Sequence, residues 1–112
     1  MGADSCVVYY GVRYQVTDES ELEQLSARTH PLIRAAEQAG LQYHWGNFAL
    51  DGGEYNLLII GREIGVFGLE ELGEREVADS ELAQLMQDTR ERLKRAGFSL
   101  VPALQIQLEP DY

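Results

Sequence analysis

The chain has 112 residues, a formal net charge of −10, a pI near 4.5 and 45% hydrophobic residues. That length fits one domain with its own core, and that apolar fraction excludes a disordered chain. Nineteen acidic against nine basic side chains repel phosphate backbones and anionic lipid, so no nucleic acid and no membrane surface is expected as a partner, and a basic protein is favoured.

Residues 6–16, from Cys6 to Val16, read as a strand. Cys6, Val8, Tyr10, Val12, Tyr14 and Val16 share one apolar face; Val7, Tyr9, Gly11, Arg13 and Gln15 share a mixed one. Leu22, Leu25, Leu32, Ile33, Ala36 and Ala39 then recur at helical spacing. Pro31 splits that run into helices over about 19–27 and 30–39. Ser20 with Glu23 would form a capping box, Thr29 would cap the second helix, and Gly40 would end it. Residues 41–50 and 54–60 read as strands joined by a turn at Asp51-Gly52-Gly53. Within 61–78, Gly61-Arg62-Glu63 is expected to turn the chain into a short extra strand at 64–67, followed by an acidic loop. A helix capped by Asp79 or Ser80 runs to Gly97, with Asp88–Arg92 and Glu91–Arg95 at ion-pair spacing. The last strand, 98–108, contains Pro102, which places it at an edge.

This β-α-β-β-α-β order describes one compact α+β domain over 1–112. It resembles the ferredoxin-like, split βαβ arrangement, on element order and not on a motif. The resemblance implies an antiparallel sheet of main-strand order 4-1-3-2 with the helices on one face.

Motifs for chemistry fail for stated reasons. Gly68-Leu69-Glu70-Glu71-Leu72-Gly73 has the glycine spacing of a phosphate loop, but Glu74 stands where lysine is required. Val101 replaces the second glycine of a nucleophile elbow after Ser99. Cys6 is the single cysteine, so neither an internal disulfide nor a cysteine zinc site can form, and the apolar run of a signal peptide is absent; a reducing cytoplasm is the expectation. No catalytic residue, metal or cofactor is assigned.

Two surfaces remain. Tyr9, Arg13 and His44 or Trp45 would be exposed on the sheet face without helices, with the composition of an interface hot spot. Glu70, Glu71, Glu74 and Glu76 would give the loop a carboxylate cluster. These favour a non-enzymatic acidic protein-binding module, of the profile of a small inhibitor or immunity protein for a basic partner. The alternative is a small ligand-binding or cofactor-free enzyme domain with a pocket lined by His44, Trp45 and tyrosines, in which Tyr9, Tyr14 or Glu54 would orient His44. A weak homodimer is also expected, through the open sheet face or the last strand, where Val7, Tyr9, Val101 and Ala103 would lie together.

Overall fold

The computed structural model describes residues 4–50 and 53–110. In chain order the elements are β1 (Ser5–Gln15), α1 (Glu19–Ala27), α2 (Pro31–Gln38), β2 (Gln42–Leu50), β3 (Gly53–Phe67), α3 (Asp79–Arg95) and β4 (Ala103–Glu109). The strands form one antiparallel sheet in the order β2-β3-β1-β4. Read from the other edge this is 4-1-3-2, the order expected for the main strands.

The local signals differ from expectation at several ends. Asp18, not Ser20, caps α1, its carboxylate accepting from the Ser20 amide at 2.8 Å. His30, not Thr29, caps α2: its Nδ1 accepts from the Leu32 amide at 3.1 Å, with Pro31 in the first turn where a missing donor costs nothing. Ala78 precedes α3 without a side-chain cap. No separate strand forms at 64–67. Gly61 continues β3 instead of turning it, and the irregularity is a bulge between the pairs Val8↔Gly65 and Tyr9↔Glu63. The β2–β3 connection at 51–52 lies outside the described residues, and Leu50 pairs with Gly53 across it.

All three helices lie on one face. Leu25 of α1, Ile33 and Ala36 of α2 and Leu93 of α3 pack on Val12, Val16, Leu58 and Ile60, with Tyr14, Tyr43, Trp45 and Phe98 around them. Two polar contacts tie α3 to the sheet, Arg62–Asp88 at 3.3 Å and Arg90 donating to the Tyr10 hydroxyl at 3.2 Å. Arg92 also donates to the Ala39 carbonyl at the end of α2, at 3.0 Å. Arg90 and Arg92 of α3 are thus engaged internally.

The opposite face was expected to be open, and it is not. Val7, Tyr9, Phe48, Leu57 and Ile59 form a second core there, each at most 2% exposed, although no helix residue joins them. The sheet itself supplies the cover. Its edge strands, β2 and β4, lie at opposite ends of the strand order and yet approach one another. His44 of β2 touches Glu109 of β4 at 3.2 Å. The sheet is coiled into a half-barrel, with that contact across its unpaired seam.

Coiling this tight needs a close passage in the middle of the sheet, and the sequence provides one. Gly11 of β1 pairs with Gly61 of β3. A Cβ on Gly11 would overlap the Ile60 carbonyl oxygen and stand 2.8 Å from Gly61 Cα; a Cβ on Gly61 would overlap the Tyr10 carbonyl oxygen. Those obstacles are backbone, so the strands themselves would have to part. Gly11→Ala or Gly61→Ala should therefore cost roughly 3 kcal/mol in urea unfolding. Gly73→Ala, where a Cβ meets nothing within 4 Å, should stay within about 0.5 kcal/mol of wild type. Equal small losses at all three positions would show that the paired glycines do not set the approach of β1 and β3.

Candidate functional site

Two regions concentrate polar chemistry, one at the seam and one in the loop after β3. Strand parity builds the first. His44 pairs with Ile59, and Ile59 with Arg13, so His44 and Arg13 share the helix-free face. Tyr9 lies on the same face of β1. Trp45, one residue from His44, points to the other face and packs against the helix-side core. The structure thus brings Tyr9 and His44 together, leaves Arg13 on the same face beyond Gly11, and excludes Trp45. A pocket lined by both His44 and Trp45 does not form, because successive strand residues face opposite sides.

Exposure also differs from expectation. Arg13 is exposed, but Tyr9 is 2% exposed and His44 is half-buried. The His44 ring stands edge-on to Phe48 at 5.8 Å and tilted to Tyr9 at 6.5 Å. Its Nε2–H donates to Glu109 Oε1 at 3.2 Å, with Oε2 at 3.4 Å. The orienting partner is therefore Glu109 and not Tyr14 or Glu54. Gly46 makes room for it, since a Cβ there would overlap Glu109 Oε2. Glu109 also lines a cleft of about 320 Å³, together with Ser5, Asn47, Glu71 and Pro110.

The meeting of Glu109 with His44 depends on the coil of the sheet, which no local sequence pattern encodes. One signal was present. Ala103, Gln105, Gln107 and Glu109 form the polar side of β4, and that side faces inward: Gln107 is buried, and Gln105 donates to the Gly11 carbonyl at 3.2 Å.

Burial raises the Tyr9 phenol well above its ordinary range, and Glu63 and Tyr43 add to the shift. Burial raises Tyr14 as well. The neutral phenols are what the fold accommodates.

The second region is the loop between β3 and α3. Glu70, Glu71, Glu74 and Glu76 are all exposed, as expected. The loop is tethered. Leu72 bridges to Phe67, the Gly68 amide donates to the Leu72 carbonyl at 3.1 Å, and Arg75 donates to the Ile64 carbonyl while pairing with Glu81 at 3.8 Å. Leu69 projects from its tip, 93% exposed, and Leu72 is half-exposed.

A second concavity, an open cleft of about 670 Å³ between the ends of α2 and α3, is lined by Ala35, Ala39, Gly40, Arg92 and Arg95. Both arginines already have carboxylate partners, Asp88 and Glu91. Among the described residues no group of three or more His, Cys, Asp or Glu side chains could hold a metal ion, and no helix is long and apolar enough to cross a membrane.

The seam contact should be measurable as a coupling. His44→Ala and Glu109→Gln should each destabilise by about 1 kcal/mol, and the double variant by clearly less than their sum. Gly46→Ala displaces the same carboxylate and should add little to Glu109→Gln. Strict additivity would mean that the two side chains meet without stabilising the seam.

The phenols set the alkaline limit. An unfolded tyrosine ionises near pH 10, whereas folded Tyr9 and Tyr14 keep their protons above it. The folded state then binds more protons than the unfolded one, so stability is intact below about pH 10 and falls as pH rises further. Tyr9→Phe should flatten that fall in urea midpoints taken between pH 8 and pH 11. A slope unchanged from wild type would contradict the burial of Tyr9.

Comparison with protein-family models, with curated proteins and with solved structures finds no match to this chain, so its function has to be argued from this geometry.

Proposed function

We propose that the chain is a non-enzymatic protein-binding module on a ferredoxin-like scaffold, and that the loop over residues 68–78 engages a basic protein. The scaffold reading draws on the strand order, on antiparallel pairing throughout, and on helical crossovers from β1 to β2 and from β3 to β4. It departs from a plain open sheet in the seam between β2 and β4.

One observation carries the functional reading. Leu69 is held almost wholly in solvent by a tethered loop, among four exposed carboxylates. A large apolar side chain at a pinned tip is pre-organised for a pocket on a partner, and less ordering entropy is lost when it docks. The carboxylates act earlier, steering a basic surface during diffusion. An acidic rim around an aliphatic anchor suits an inhibitor or immunity-type role, in which the partner is a basic toxin or nuclease.

The competing reading is a ligand-binding or cofactor-free enzyme domain built on His44 and Glu109. An imidazole oriented by a carboxylate has the arrangement of a general base. Its flank, however, is filled by Phe48 and Tyr9. Thermal shift against a small-molecule library separates the two readings.

With a captured basic partner in hand, reversing Glu70, Glu71, Glu74 and Glu76 to lysine should slow association about tenfold or more at low salt, and should flatten its salt dependence. Leu69→Ala should chiefly speed dissociation. If association rate and salt slope are both unchanged in a folded variant, the loop is only a connection.

A further inference from the structure

β4 is amphipathic in the reverse sense to that expected of a strand in a monomer. Its polar residues face the interior, while Leu104, Ile106 and Leu108 point outward at 51%, 60% and 47% exposure. Pairing fixes their neighbours: Leu104 lies beside Tyr10, Ile106 beside Val8 and Leu108 beside Cys6. The helices cover this face of β1 as far as Tyr10, where Arg90 meets the hydroxyl. Val8 and Cys6 lie beyond, half-buried and in neither core. The result is an apolar strip along β4 and the adjoining half of β1. Of the two places expected for self-association the helix-free face is closed, because Val7 and Tyr9 are sealed in the second core; the last strand remains, through Leu104, Ile106 and Leu108 in place of Val101 and Ala103.

We infer that a second copy of this chain covers the strip, through a two-fold interface with Ile106 near the axis. Charge sets that occupant apart from the basic partner of the loop. No charged residue occurs between Arg95 and Glu109, so the strip offers a basic partner nothing to pair with. Two chains of net charge −10 repel one another, and a two-fold axis brings identical patches together. An acidic patch would meet its own charge there, whereas a neutral aliphatic one meets its own kind. The row is also self-complementary: with Ile106 near the axis, Leu104 of one copy falls toward Leu108 of the other. Three aliphatic side chains per copy make a small contact, at the weak end of specific interfaces.

The sign of the salt effect separates this surface from the loop. Salt weakens steering of a basic partner but screens repulsion between like-charged copies. Sedimentation equilibrium should show a monomer–dimer equilibrium whose dissociation constant falls severalfold as NaCl rises from about 0.05 to 0.5 M. Ile106→Lys should raise that constant at least about tenfold; because Ile106 is exposed, the monomer should keep its fold, which circular dichroism checks. In a Cys6→Ser background, Ile106→Cys should form a disulfide-linked dimer under mild oxidation, and Glu76→Cys should not. Lysine reversal of the acidic loop should leave the dimer in place, so failure of the loop reading and failure of this one are distinguishable. A protein that stays monomeric at millimolar concentration in high salt, or an Ile106→Lys variant that dimerises as wild type does, overturns the proposal.

Discussion

Gly11 and Gly61 face one another in the pairing of β1 with β3, too close for a Cβ on either, and the arrangement of the helix-free face follows from that contact. A sheet with helices on one side must either solvate its other side or cover it. Here that side carries Val7, Tyr9, Phe48, Leu57 and Ile59. Burying each is worth about 1.5–3 kcal/mol, so together they contribute as much as the net stability of a typical domain. The cover comes from coiling, and coiling requires two backbones to pass without side chains between them. Once they do, β2 and β4 converge, His44 meets Glu109, and the glutamines of β4 find themselves indoors.

Much of this architecture is legible in the sequence. The alternation of residues 6–16, the ion-pair spacing of Asp88–Arg92 and Glu91–Arg95 and the break at Pro31 locate β1, α3 and the α1–α2 boundary to within a few residues. Alternation, however, says that two faces differ without saying which one is inside. The mixed face of β1 reads as solvent-facing because Arg13 and Gln15 belong to it. They are exposed, but Val7 and Tyr9 lie on the other side of Gly11, where the sheet closes. Leu104, Ile106 and Leu108 invite the opposite error, since aliphatic residues suggest a core that pairing with β1 denies them.

The candidate site was less legible than the fold, for a similar reason. The exposed carboxylates of the loop follow from composition alone, and they are where the sequence puts them. His44 attracts notice by its type, but its partner lies 65 residues away and is set by curvature, which no local pattern encodes. Gly61 held the missing clue. Next to Arg62-Glu63 it reads as a turn; opposite Gly11 it is a point of contact between strands. His30 is a smaller case of the same kind: the sequence points to Thr29 as the cap of α2, and Nδ1 of its neighbour His30, directly before Pro31, takes that role.

The inverted face of β4 bears on how the chain reaches its fold. Shifting β4 by one residue against β1 would turn Leu104, Ile106 and Leu108 inward and send Gln105 and Gln107 out. Hydrophobic collapse alone favours that slipped arrangement, so the native register rests on directional contacts: Gln105 on the Gly11 carbonyl and Glu109 on His44. Such contacts reward correct placement only after the half-barrel has nearly closed. The polar residues on the inner side of β4 are thus what discriminates the native register from the slipped one.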